Sequence, residues 1–278
     1  MKNFKKIIGS ALLISLLIGI TGPSTAFAAT SPTLGTAGSY SVLGHTTVTN
    51  TGSTTMPGDL GISIGGQPTG FPPGIVGPPG TIRNAADSLA AQNANTAAFI
   101  SLDQACDTTY PGTKDLVNEN IVAGVYCAGA FTLTGTLTLN GTGVWIFKSA
   151  STLITSGTAN VVGGNPCNVW WRDVSSATLG TGTSLTGSVL SSTSVSMQTG
   201  AALNGRALAQ TGAVTLDTNI ITGAACLTPS IFVGVVTPGL PNTGVNTEQS
   251  NNGLVSLMIF GVVISSGSIF AARKKWTA

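Results

Sequence analysis

The stretch TGTSLTGSVLSSTSVSMQ (181–198) can be laid over TGAALNGRALAQTGAVTL (199–216), placing Leu185 on Leu203, Gly187 on Gly205, Leu190 on Leu208 and Thr193 on Thr211. The period is eighteen residues, slipping to nineteen where Val195 and Met197 are matched to Val214 and Leu216. A unit this short cannot enclose a core of its own, so each copy has to bury its apolar residues against the next. A coil of that length divides naturally into three short strands with turns between them. Coils stack about 4.8 Å apart, and inward Leu and Val then form continuous apolar columns. The repeat predicts an all-β chain built as a β-solenoid, with a β-sandwich as the structural competitor. FTLTGTLTLNGTGVWIFKSASTLITS (131–156) has the same alternation without a strict register.

Abundant Gly, Thr and Ser would also suit a disordered chain. Val, Leu, Ile and Phe recur at alternating positions, however, which a low-complexity segment lacks. The interval 29–243 is long enough for one sizeable core. It carries Arg83, Lys114, Lys148, Arg172 and Arg206 against eight acidic residues, five minus eight giving −3. A charge-poor, slightly acidic surface offers no track for a phosphate backbone, so nucleic acid is not an expected partner.

One segment departs from the β pattern. After the breaker-rich GFPPGIVGPPG (70–80), Ile82, Ala86, Leu89, Ala97 and Ile100 fall near helical spacing in an alanine-rich stretch. This predicts one long helix over about 82–102, its small apolar face lying along the solenoid flank.

The ends of the chain read as export and anchoring signals. Lys2, Lys5 and Lys6 precede an apolar run from Ile7 to Ile20, and Ala26-Phe27-Ala28 fits a small-x-small cleavage site. That is the pattern of a secretory signal peptide over 1–28. At the other end Leu240, Pro241, Asn242, Thr243 and Gly244 form LPNTG within a linker over 227–253. An apolar run at 254–272 and a basic tail at 273–278 follow, the tail expected on the cytoplasmic side. At a rise of about 1.5 Å per residue the run reaches about 28 Å, enough for a transmembrane helix. This order resembles the cell-wall sorting signal of Gram-positive surface proteins. The resemblance implies that a sortase cleaves between Thr243 and Gly244 and joins Thr243 to peptidoglycan, from a membrane-associated precursor.

Cys106, Cys127, Cys167 and Cys226 in an exported domain predict two disulfides. Three connectivities are possible. Local loop closure favours Cys106–Cys127, which leaves Cys167–Cys226. Without CxxC spacing, and with His45 as the single histidine, the chain has no zinc-site pattern.

Several blocks are similar to the ice-binding family of the DUF3494 type: YSVLGHTTVTNTGSTTMPGDLGIS (40–63), TGFPPG (69–74), GVYC (124–127), CNVWWRDVSSATLGTGTSLTGSVLSSTSV (167–195) and TGAALNGRALAQTGAVTLDTNIIT (199–222). The resemblance runs over almost all of 33–222, within a domain over 29–226. It implies a right-handed, irregular β-solenoid of triangular section, a long helix packed alongside, and antifreeze-like adsorption to ice through one flat face.

Other chemistry has little to work with. A Ser-His-Asp arrangement would need His45, the single histidine of the chain. The Asp residues are scattered; Asp103, Asp107, Asp115 and Glu119 read as a solvated loop, and GGN (163–165) lacks the repeating Asp of calcium-binding coils. No enzyme activity, cofactor or metal is therefore expected. The adjacent Trp170 and Trp171 leave a stacking contact with a glycan or cell-surface ligand open, as a wall adhesin of the same fold would use.

Threonine combines a β-branched methyl with one hydroxyl. Repeated about 4.8 Å across coils and roughly 6.6 Å along a strand, it gives an uncharged array with spacings near those of ice planes. The outward candidates are Thr47, Thr49, Thr51, Thr54, Thr134, Thr136, Thr138, Thr152, Ser194, Ser196 and Thr215, with Thr132 expected on a different face from Thr138. Within 29–226 the T-A/G-x-T/N repeat of some relatives is matched only by Thr51-Gly52-Ser53-Thr54.

Overall fold

In the computed structural model, residues 28–223 and Cys226 are described. They form three parallel sheets of eight, seven and eight strands. Each coil contributes one strand to each sheet, except that the coil with Asp59–Ile62 and Ile75–Val76 reaches the second sheet only through a Thr69–Thr49 bridge. The first sheet includes Tyr40–Gly44, Gly124–Ala128, Trp145–Ser149, Val169–Asp173, Ser188–Ser191 and Ala207–Ala209. The second runs through Val48–Thr51, Val214–Asp217, Val195–Met197, Ala177–Leu179, Leu153–Thr155, Ala130–Leu133 and Thr113–Asp115. The third includes Thr55–Met56, Ile220–Ile221, Ala202–Asn204, Ser184–Thr186, Asn160–Gly163 and Thr136–Leu139.

The register follows the repeat. Leu185 pairs with Leu203 and Leu190 with Leu208 at a spacing of eighteen, whereas Val195 pairs with Val214 and Met197 with Leu216 at nineteen. The additional residue is taken up in the corner between Ala209 and Val214. At the preceding corner a β-carbon on Gly205 would lie 1.9 Å from the Gly187 carbonyl oxygen, so coils can stack there only glycine on glycine. Inward Leu, Val and Ala fill the interior together with the aromatic run Tyr126, Phe147 and Trp171. Phe147 and Trp171 are stacked with ring centroids 4.1 Å apart.

Coil order departs from chain order. The first coil pairs with the last, Val42 with Ala207, Thr49 with Thr215 and Thr55 with Ile220. The second coil, with Asp59–Ile62 and Ile75–Val76, lies outside the first. Helix α1 (Ala85–Ser101) then connects this end to the opposite one, where Thr108–Thr109 begins the ascending coils. Its 17 residues span about 25 Å, most of the roughly 34 Å between the outermost strands.

The helix is shorter than the predicted 82–102, and Ile82 instead bridges to Leu60. Asn84 caps its start, its side chain accepting from the Asp87 amide. The face that packs is also not the one the apolar spacing indicated. Leu89 and Ile100 are 46% and 67% exposed, while Ser88, Ala91, Gln92, Asn95, Ala98 and Phe99 are buried. The reason is volume: the sheet beneath already presents Leu43, Val125, Ile146, Leu190 and Leu208, so close approach selects small helix residues. Gln92 adds polar attachment, its Nε2 donating to the carbonyls of Ala209 and Gln210.

Both predicted disulfides are formed, Cys106–Cys127 and Cys167–Cys226. No described helix is long and apolar enough to cross a membrane. The leader, apart from Ala28, and the LPNTG, apolar and basic segments lie outside the described residues.

Candidate functional site

The three sheets present different outer surfaces. The first is covered by α1 and the segment around Leu34, and its outward residues belong to a second apolar cluster. The other two face outward, and alternation on their strands sets which side chains they expose.

On the second sheet two rows cross the coils. In one, strand register aligns Thr49, Thr215, Ser196, Thr178, Ile154 and Thr132. The residues one alternation earlier are Thr47, Ala213, Ser194, Ser176, Thr152 and Ala130. Their order follows from Val214 donating to the Thr47 carbonyl, Val195 to Ala213, Ala177 to Ser194, Leu153 to Ser176 and Phe131 to Thr152. All twelve are exposed or half-buried, and none is charged. Charge enters only at the margins, where Asp217 pairs in register with Thr51 and Asp115 with Thr132. Val48, Val214, Val195, Ala177, Leu153 and Phe131 between the rows point inward and are buried. That β-branched and apolar backing holds the outer rows on a straight lattice.

The third sheet is less uniform. Its outward positions mix exposed Thr136 and half-buried Thr138 with Asn120, Val162, Asn204 and Ile220. Thr138 pairs in register with Val162 and Asn120, Thr136 with Asn160.

The candidate residues are therefore divided. Thr47, Thr49, Thr152, Ser194, Ser196 and Thr215 share the second sheet, together with Thr132. Thr136 and Thr138 stand on the third. Thr51 and Thr134 sit at the edge of the second, where Thr134 Oγ1 donates to Asp115 Oδ2 at 2.7 Å. Thr54 is buried at 0% exposure, and its Oγ1 accepts from the Asn219 amide, so it cannot touch an external surface. The single T-G-x-T match thus turns a corner rather than lining a face. Sequence reading missed Ser176, Thr178 and Ile154. Extending the eighteen-residue register one coil back, which sets Thr178 on Ser196, would have found the first two; Ile154 lies 24 residues before Thr178, off that period.

His45 and the acidic loop residues singled out in the sequence have local structural partners. His45 Nδ1 lies 2.9 Å from Ser63 Oγ. Asp103 pairs with Lys148 at 2.7 Å, and Lys148 beside it lowers its carboxyl pKa. Asp107 accepts from the Val125 amide, and Glu119 pairs with Lys114. No group of three metal-ligating side chains occurs among the described residues. Trp145, Trp170 and Trp171 are buried, so the pair read as a stacking platform belongs to the two cores, and the Trp170 indole donates to Ser31 Oγ.

The family model described as ice-binding-like matches residues 42–222. An ice-binding protein of Nostoc sp. (strain HG1) is 38% identical over 258 residues, 89% of this chain and 93% of its own length. One from Flavobacterium frigoris (strain PS1) is 31% identical, covering 68% of this chain and 75% of its own. Among solved structures, the ice-binding protein of the Antarctic ascomycete Antarctomyces psychrotrophicus matches with a TM-score of 0.66 at 36% identity, over 69% of this chain and 98% of its own. Sequence and stacked-coil fold together place this chain in the ice-binding-like family.

Proposed function

We propose that this protein adsorbs to ice through the outer surface of its second sheet. The observation that carries the reading is the pair of uncharged rows, nine of whose twelve members bear a hydroxyl, the others being Ala130, Ile154 and Ala213. Such a surface can hold water in a lattice-like layer through methyl and hydroxyl groups together. Charged side chains would instead hold strongly oriented hydration shells that compete with that layer. The relatives named as ice-binding proteins support the same reading. The test is the shape of ice crystals grown with the purified protein, together with recrystallisation inhibition. Unshaped crystals and unrestrained recrystallisation would reject it.

The order of the end signals supports display on a Gram-positive cell wall, with Thr243 joined to peptidoglycan by a sortase. Mass spectrometry of wall digests should then find Thr243 amide-linked to a wall peptide. Recovery of the intact 254–272 segment in membranes of sortase-active cells would count against it.

A further inference from the structure

Asparagine is absent from the two central rows of the second sheet but recurs on the third, at Asn120, Asn160, Asn204 and, just past a strand end, Asn140. Two Asn-Gly pairs lie within the described residues, Asn140-Gly141 and Asn204-Gly205. Glycine after asparagine leaves the following backbone nitrogen unshielded by a β-carbon, so the fold decides whether that nitrogen can reach the side-chain amide.

The two sites are built differently. Asn140 is exposed, and its side chain makes no hydrogen bond among the described residues. Gly141 has φ +88°, and no atom lies within 4 Å of the position a β-carbon would take. Its N–H donates to no described group, because the ladder ends with the Asn140 amide donating to Ile121 at 2.8 Å. At the other site Asn204 Oδ1 accepts from Thr222 Oγ1 at 3.1 Å, and its carbonyl accepts from the Gly187 amide at 2.9 Å. Gly205 is buried against the coil below, where even a β-carbon would meet the Gly187 carbonyl oxygen at 1.9 Å.

We infer that Asn140 is a modification site, at which the folded protein converts its amide to an aspartyl or isoaspartyl residue while Asn204 is protected. The Gly141 nitrogen attacks Asn140 Cγ, forming an N–C bond. The Cγ–Nδ2 bond breaks, and Nδ2 leaves as ammonia with the proton released from the Gly141 amide. Water, the only co-reactant, then opens the resulting succinimide at either carbonyl. One opening yields Asp; the other routes the main chain through Cγ and adds a methylene. Either product places an anion on the third face beside Val122, which is 63% exposed. The isoaspartyl form also lengthens the main chain by one methylene directly after the residue whose amide donates to Ile121. The second face, lacking such an amide in its central rows, keeps its neutral surface throughout, and the chemistry is independent of what that face binds.

The test is incubation of the folded protein at mildly alkaline pH, followed by peptide mapping and isoaspartate-specific methyl labelling. The expected result is loss of the Asn140 amide with retention of the Asn204 amide, and loss of both in denaturant. Asn140→Gln should abolish the folded-state signal, and Gly141→Ala should slow it. Retention of the Asn140 amide in the folded protein, or loss of the Asn204 amide at the same rate, would overturn the assignment.

Discussion

Thr132 and Thr138 lie on one continuous segment yet project from different sheets, Thr132 registered against Ile154 and Thr138 against Val162. The chain turns between them at Gly135, where a β-carbon would lie 2.7 Å from the Val117 side chain. The candidate surface therefore includes Thr132 and excludes Thr138, although residue-by-residue alternation presents both as outward threonines. Thr178→Tyr, in the middle of the row that runs from Thr49 to Thr132, should lift the surface off a flat plane and remove most thermal hysteresis. Thr132→Tyr should weaken it, and Thr138→Tyr should leave it near wild type. All three should keep their circular dichroism and melting behaviour. Loss confined to Thr138→Tyr would move adsorption to the third face.

Asp173 supplies a pH test. It is 1% exposed, and burial pushes its carboxyl well above the ordinary aspartate range; among the described residues only Ser191 Oγ donates to it, at 3.4 Å. Because the folded pKa is raised, this group's contribution to stability is complete below the unfolded value of about 4 and declines as pH rises towards the folded value. Asp173→Asn removes the titration, and should stabilise the protein by about 1–3 kcal/mol at neutral pH relative to wild type. Denaturant titrations over a pH series should show that gain shrinking as the pH falls to the unfolded value. A constant gain at every pH would refute the account.

Gly205→Ala should be among the most damaging small substitutions. Its β-carbon would meet backbone, the Gly187 carbonyl oxygen at 1.9 Å and carbonyl carbon at 2.5 Å, so two coils would have to separate. A loss of about 3–5 kcal/mol is expected. Gly141→Ala, with open space but φ +88°, should cost only about 1 kcal/mol. Equilibrium unfolding of the two variants checks the ranking.

Removal of the disulfides should also be unequal. Cys106–Cys127 spans 21 residues and Cys167–Cys226 spans 59. Loop-closure entropy predicts that Cys226→Ser costs about 1 kcal/mol more than Cys106→Ser, within losses of about 2–4 kcal/mol each. Thermal unfolding of the single variants under non-reducing conditions measures the difference, and an equal or reversed order would contradict it.

The sequence by itself determined the coil. The match of Leu185 to Leu203, and the slip that brings Val195 to Val214, are local facts because an inward residue must lie above an inward residue in the next turn. Two disulfides and the presence of one helix were legible for the same kind of reason: short loops, compartment chemistry and composition. Which threonines share a surface was not. Alternation distinguishes inside from outside but carries no label for which of three sheets a strand joins, and a single corner separates Thr134 from Thr136. The helix face was decided by the volume of Leu43, Leu190 and Leu208 beneath it, so small buried Ala91 and Ala98 won over the larger Leu89 and Ile100. Least visible of all was the pairing of Val42 with Ala207. Local periodicity makes neighbouring repeats stack, but it does not say which open strand edge the first coil will close, and backbone hydrogen bonding across that edge is available to any strand of matching register.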